Sequence, residues 1–247
     1  MKILPVLDIL NQKVVRGVAG QRDTYQPIQS RLTESNQPLD IACALRDEFQ
    51  ISEFYVADLD AIVHRKLNLE LYQNLLDNEF TFLLDCGLRY AADSQPLTSL
   101  PGISVVAGLE TLAGPQELGQ LVEQWGSQQT AFSLDLKQGQ PLVSDVPHNE
   151  YELIKDPLKI AELSLSQGIQ QMILLDLAQV GTGKGTGTEE LCYILRSRYP
   201  ELRLITGGGI QNCNDLMAQA KLGADAVLVA SALHDGRIDR EAVLSLI

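Results

Sequence analysis

The sequence predicts an α/β protein with a (β/α)8 TIM-barrel fold, in a single domain that spans residues 1–247. Two observations predict this fold. Eight short apolar runs alternate with segments of helical spacing along the chain. Several of these runs end in Asp or Gly, as strands do when their carboxyl ends form one functional edge. The chain shows no linker or shift in composition, so one domain is favoured, and a doubly wound sheet is the alternative fold.

The predicted strands are apolar runs without polar alternation, which is typical of strands buried on both faces. In chain order they cover residues 3–7, 53–60, 80–84, 103–108, 130–135, 172–176, 202–206 and 226–231. Helical spacing predicts the intervening helices at residues 39–49, 67–78, 115–125, 157–167, 189–198, 214–222 and 240–246.

Three irregular segments stand out between these elements. Residues 12–17 indicate a small hairpin that returns from the first strand, and the polar segment 20–38 is long enough to be a functional lid. After the sixth strand, the chain carries four alternate glycines, at positions 181, 183, 185 and 187. Glycine lets a backbone turn sharply and approach a ligand closely, so this loop is a candidate binding segment.

Strand ends one to four have counterparts at strand ends five to eight, which predicts a two-fold repeat of half-barrels. The matching pairs, separated by similar numbers of residues, are Asp8 with Asp135, Asp58 with Asp176, Gly87 with Gly209, and Gly108 with Ala230. Such a repeat is what two half-barrels of common origin would leave.

Charge and composition exclude several classes of protein. The net charge of −13 and the pI of about 4.6 disfavour binding to nucleic acid or to anionic membranes. The four cysteines form no CxxC pair, so we expect reduced thiols and neither a disulfide nor a metal site. The first residues do not make a signal peptide, and no apolar run reaches the ~18 residues of a membrane span. We therefore expect a soluble cytoplasmic protein.

Asp8 and Asp135 end the first and fifth strands, on opposite sides of the predicted barrel. Two carboxyl groups that face one pocket suit paired general acid and general base catalysis, since burial or a neighbouring charge can keep one of them protonated. The alternative is that each Asp caps a loop or forms a local salt bridge. The symmetry of the pair favours catalysis.

The turn after the seventh strand predicts a phosphate site. Gly207, Gly208 and Gly209 offer free backbone N–H groups, and Ala230 and Ser231 end the neighbouring strand. In TIM barrels, phosphate commonly binds after strands seven and eight. The alternative is a tight strand–helix turn.

The symmetry-related phosphate site is predicted around Gly87, Arg89 and Gly108. Asp85 and Glu110 lie in the same two turns and would repel a phosphate, and Arg89 would offset them. The sequence thus leaves open whether one or two phosphate sites function.

Two other kinds of chemistry are weaker alternatives. Asp58, Asp60 and Asp176 could bind a metal ion at the same rim, but no histidine accompanies them, and we predict no metal. Lys137 follows Asp135 closely enough to form a Schiff base in the same pocket, although most lysines in such loops are solvated.

The chain resembles the histidine-biosynthesis barrels, a family with an isomerase and a cyclase branch, over nearly its whole length. The segments that carry the resemblance are 5–8, 14–17, 56–60, Asp176 with Gly181, Thr182 and Gly185, then 207–210 and 227–233. The resemblance implies a ribotide isomerase that turns an aminoaldose into an aminoketose, with Asp8 as base and Asp135 as acid. It also implies that Asp176, Gly181 and Thr182 bind substrate, and that no cofactor is needed.

Departures from the family pattern keep the substrate open. The strand-three turn carries Asp85-Cys86 where the family usually has glycines, Leu175 replaces a usual Thr, and Val180 replaces a usual Asp. The alternatives are a divergent relative that acts on another, monophosphorylated substrate, for example in one-carbon cofactor biosynthesis, and a non-catalytic barrel that binds a phosphorylated ligand. The cyclase resemblance is weaker. We expect a small phosphorylated substrate as the only ligand class, with the chain a monomer or homo-oligomer.

Overall fold

The computed structural model describes residues 1–183 and 185–244, and these form a closed barrel of eight parallel strands. The barrel strands are β1 (Lys2–Leu10), β4 (Glu53–Asp58), β5 (Thr81–Asp85), β6 (Ile103–Gly108), β7 (Thr130–Lys137), β9 (Gln171–Asp176), β10 (Arg203–Gly207) and β11 (Ala226–Val229). Each strand pairs in parallel with the next, and β1 closes the ring on β11 with Lys2 opposite Ala226. The predicted TIM-barrel fold is confirmed.

Three short strands extend the barrel at its carboxyl edge. Strand β2 (Lys13–Arg16) pairs antiparallel with β1, and β3 (Gln26–Pro27) pairs with β2. Strand β8 (Gln140–Pro141) pairs antiparallel with β7. The first and fifth barrel strands are therefore both followed by a hairpin, and the hairpin predicted at residues 12–17 is confirmed.

The helices surround the barrel. They are α1 (Pro38–Phe49), α2 (Leu59–His64), α3 (Leu69–Asp77), α4 (Pro115–Trp125), α5 (Pro157–Leu165), α6 (Glu189–Arg198), α7 (Cys213–Lys221), α8 (Ser231–His234) and α9 (Arg240–Leu244). Short 3₁₀ helices cover Arg22–Thr24, Ala91–Leu97 and Glu150–Leu153. Within residues 1–183 and 185–244, no helix is both long and apolar enough to cross a bilayer.

Two predicted strands are too long because their ends begin helices. The second strand stops at Asp58, whose carboxylate accepts the Ala61 N–H as the N-cap of α2, so Asp60 lies in a helix. The eighth strand stops at Val229, and Ser231 begins α8. Of the predicted last helix, residues 245 and 246 lie outside the described part of the chain, as does Lys184 of the glycine-rich loop.

The apolar residues form two cores. A larger core packs the helices against the outer face of the barrel. A smaller core fills the barrel interior, with buried side chains from every barrel strand, among them Leu4, Leu83, Ala131 and Ile173. Because side chains alternate between the two faces of a strand, these residues fix which neighbours point inwards at the carboxyl ends.

Candidate active site

A cavity of about 230 Å³ opens at the carboxyl ends of the barrel strands. Four carboxyl groups line it, from Asp8, Asp85, Glu110 and Asp135. Strand alternation explains three of them: Asp8 follows Leu4 by four positions, Asp85 follows Leu83 by two, and Asp135 follows Ala131 by four. The barrel interior thus changes from apolar to acidic at its mouth.

The Asp8 carboxylate lies against the loop that follows β2. A Cβ atom on Gly17 would lie 2.8 Å from Asp8 Oδ2, so only glycine leaves room for the carboxylate there. Among the described residues, none donates a hydrogen bond to this carboxylate. Burial raises the pKa of Asp8 to about 7, Arg22 opposes the rise, and the nearby Asp85 adds to it. Asp8 therefore exchanges a proton near neutral pH.

Asp135 sits deeper and is only 5% exposed. The Ser133 hydroxyl donates to Asp135 Oδ1 at 2.6 Å, and the Glu110 backbone N–H donates to Oδ2 at 3.3 Å. Burial, followed by the charge of Glu110, raises the pKa of Asp135 well above its ordinary value. The raised pKa favours the protonated form of Asp135, which is the form that can donate a proton.

The third and fourth barrel strands contribute an acidic corner. The Tyr55 hydroxyl donates to Asp85 Oδ2 at 3.1 Å, and Arg22 forms an ion pair with Glu110 at 2.6 Å. Burial and then the Glu110 charge raise the pKa of Asp85 to about 6. Burial and the neighbouring carboxylates raise the pKa of Tyr55 well above its ordinary value, so its hydroxyl stays neutral.

The opposite end of the cavity offers donors for an anion. Gly208 and Gly209 line it with φ angles of +87° and +73°, a conformation that favours glycine. No described residue accepts a hydrogen bond from the N–H groups of these two glycines. Nearby, Arg237 donates to the Ser231 hydroxyl at 2.9 Å. Together these groups can bind a phosphate.

The cavity brings together about half of the predicted site residues. Those that line it are Asp8, Asp135, Gly181, Gly208, Gly209, Ala230 and Ser231. Those that do not line it are Gly87, Arg89, Gly108, Asp176, Thr182 and Gly207. Two glycines of the second set leave space for side chains that line the cavity. A Cβ on Gly108 would lie 3.2 Å from Asp135 Oδ2, and one on Gly207 would lie 2.9 Å from Leu228.

Asp176 faces away from the cavity because it alternates with the inward-facing Ile173 and Leu175. Its carboxylate accepts the backbone N–H groups of Gln138, Gly139 and Ala178 at 3.0, 2.8 and 2.9 Å. The structure therefore places Asp176 beneath the β7–β8 hairpin, where it supports the backbone.

Several cavity residues escaped sequence analysis. Tyr55 had a usable signal, since it occupies an inward position of a predicted strand; the same holds for Ser133, which does not line the cavity but bonds Asp135. Arg22 and Arg237 had none, because they lie outside the predicted strands and helices and reach the cavity only in the closed barrel. Arg237 and Arg16 both form ion pairs with Asp235, and both line the cavity that Gly208 and Gly209 also line.

Comparison with known sequences identifies relatives along the whole barrel. The family model described as "Histidine biosynthesis protein" matches residues 2–239. A protein of Methanocaldococcus jannaschii described as uncharacterized is 29% identical over 248 residues, covering 99% of this chain and 98% of that protein.

Two further relatives carry the name of an enzyme. Both are named 1-(5-phosphoribosyl)-5-((5-phosphoribosylamino)methylideneamino)imidazole-4-carboxamide isomerase. The protein from Methanosphaera stadtmanae is 25% identical over 246 residues, covering 99% of this chain and 98% of its own. The protein from Thermus thermophilus is 26% identical over 239 residues and covers 96% of each chain.

Proposed function

We propose that this chain, which belongs to the histidine biosynthesis protein family, is an isomerase that converts a phosphorylated aminoaldose into the corresponding aminoketose. In this proposal Asp8 is the general base and Asp135 is the general acid. The family match over residues 2–239 and the two relatives named as isomerases support the reaction class.

The observation that carries the proposal is the contrast between the two carboxyl groups. An aminoaldose-to-aminoketose rearrangement needs a proton delivered to the ring oxygen and a proton removed from C2. The raised pKa of Asp135 keeps a proton available for the first step. The pKa of about 7 at Asp8 leaves a carboxylate of raised basicity for the second.

Other groups of the cavity orient the substrate. The free N–H groups of Gly208 and Gly209, with Ser231 and Arg237 beside them, would hold a phosphate and place the sugar carbons between the two aspartates. Arg22 would stabilise the ionised form of Asp8, because its charge lowers the pKa of that carboxyl group. The polar loops around the mouth would limit the access of water to the ring-opened intermediate.

The test is turnover of aminoaldose phosphates by the purified protein in D₂O, followed by NMR. The panel contains N-alkyl ribosylamine 5-phosphates and the bis-phosphoribosyl compound in the relatives' name. We expect ketose formation with deuterium incorporated at C1, because C2 loses its proton to become the carbonyl carbon and C1 takes up a proton from solvent. Both should be reduced about 10²- to 10⁴-fold in Asp8→Asn and Asp135→Asn while circular dichroism stays native. Undiminished ketose formation in a variant removes that aspartate from the mechanism, and no reaction with any compound contradicts the proposal.

A further inference from the structure

The two ends of the cavity carry opposite chemistry. At the end formed by β10 and β11, Gly208 and Gly209 present backbone N–H groups that no described residue uses, and Arg237 stands beside Ser231. At the end formed by β5 and β6, two carboxylates, from Asp85 and Glu110, line the wall. A ligand that spans the cavity must satisfy both ends.

At the acidic end, the backbone N–H groups of Gly87 and Glu110 already donate hydrogen bonds to carboxylates of the protein. The Gly87 N–H, which would take part in a second phosphate site, donates to Asp85 Oδ1 at 3.1 Å. The Glu110 N–H, at the end of the neighbouring strand, donates to Asp135 Oδ2 at 3.3 Å. Arg89, the cation that sequence analysis placed here, does not line the cavity, and its backbone N–H donates to Asp93. A phosphate at this end would face the carboxylates of Asp85 and Glu110 and would have no free backbone N–H from Gly87 or Glu110 to bind.

Among the described residues, one ion pair serves the acidic end: the Arg22 guanidinium bonds Glu110 at 2.6 Å. Asp85 accepts hydrogen bonds from the neutral Tyr55 hydroxyl and the Gly87 N–H, and from no described cation. Lys137 also lines the cavity, two residues beyond Asp135, but it forms no ion pair with a described carboxylate. Burial, followed by the Glu110 charge, raises the pKa of Asp85, and the charge of Arg22 offsets only part of that rise.

Apolar side chains also line the cavity, from Val6, Ala57, Leu175 and Leu228. They suit the carbon skeleton of a small molecule, while Asp8 and Asp135 face the same space as the two proposed catalytic groups. The cavity thus offers backbone donors at one end and carboxylates at the other, as expected for a ligand with a different charge at each end.

We infer that the substrate carries one phosphate, held at Gly208 and Gly209, and a protonated amine, held at Asp85 and Glu110. The inference rests on the proposed function for the phosphate end and names the substrate class of that same site. A bisphosphorylated sugar would place a dianion against two carboxylates and is excluded at the acidic end.

The test compares matched probes by calorimetry at neutral pH. Glucosamine 6-phosphate and glucose 6-phosphate differ in an amine, and fructose 6-phosphate and fructose 1,6-bisphosphate differ in a phosphate. We expect the amine to tighten binding at least about tenfold and the second phosphate to weaken it. In Asp85→Asn/Glu110→Gln the amine preference should fall below about threefold. The control Asp145→Asn/Glu150→Gln removes the same charges at exposed positions and should keep the preference.

The outcomes separate this inference from the proposed function. If the monophosphates bind and Gly208→Asp abolishes their binding, the phosphate site stands. An absent amine preference, or tighter binding of the bisphosphate, then overturns the inference alone. If no monophosphate binds, or if Gly208→Asp leaves binding unchanged, the phosphate site of the proposed function fails and the inference fails with it.

Discussion

At the scale of single residues, the position of the Asp8 carboxylate depends on the absence of a side chain at Gly17. Alternation along β1 directs the carboxylate into the barrel mouth, and Gly17 leaves the space it occupies. The sequence predicts Asp8 because a strand ends near it. Gly17 gave no comparable signal, since the contact joins β1 to the loop after β2.

Gly17→Ala should therefore disturb the proposed base without disturbing the fold. The added Cβ would lie 2.8 Å from Asp8 Oδ2 and push the carboxylate from its position. We expect kcat to fall at least about tenfold, because a displacement of about an ångström suffices to disrupt proton transfer. The control is Gly119→Ala in α4, where the new Cβ meets only the side-chain oxygen of Gln167 at 2.9 Å. Equal kcat in both variants would contradict the placement of Asp8.

At the scale of elements, the two hairpins share one form of support. Asp60 accepts the backbone N–H groups of Asn11 and Gln12 at 2.9 and 3.1 Å, in the turn after β1. Asp176 accepts those of Gln138 and Gly139 in the turn after β7. In each half of the barrel, a carboxylate near the next strand end holds the preceding hairpin. The half-barrel repeat remains a prediction: it paired Asp58 with Asp176, whereas the residue that holds the first hairpin is Asp60, and Asp58 caps α2.

For Asp176 the structure and the sequence prediction disagree. The family resemblance implied that Asp176 binds substrate, while its position in β9 directs its side chain outwards. Asp176→Asn leaves one side-chain oxygen to accept three N–H groups, so we expect the free energy of unfolding to fall by about 1 to 3 kcal/mol. Chemical denaturation measures this.

The matched control is Asp77→Asn, which removes the same charge from an exposed aspartate whose side chain, among the described residues, accepts a hydrogen bond only from Gln73. Its free energy of unfolding should change by less than about 0.5 kcal/mol. If Asp176→Asn is as stable as the native protein and instead loses affinity for substrate, then Asp176 binds substrate directly and the hairpin assignment is incorrect.

At the scale of the whole molecule, local patterns were sufficient for the barrel and insufficient for the complete site. Apolar runs and helical spacing are properties of neighbouring residues, so all eight barrel strands could be predicted. Arg22, Arg237 and the two carboxylates of the acidic end line one cavity only because β1 pairs with β11 and closes the ring. The net charge has the same limitation as a predictor. A value of −13 for the whole chain does not reveal that Arg16 and Arg237 lie together at one end of the cavity.

The central claim is that Asp8 acts as a carboxylate base, and the dependence of kcat/KM on pH tests it most directly. The base must be ionised, so kcat/KM should rise with pH through a midpoint near 7, the pKa of Asp8. Because the Asp85 charge raises the pKa of Asp8, Asp85→Asn should move the rising limb to lower pH. A flat profile, or a rising limb that Asp85→Asn leaves in place, would contradict the account.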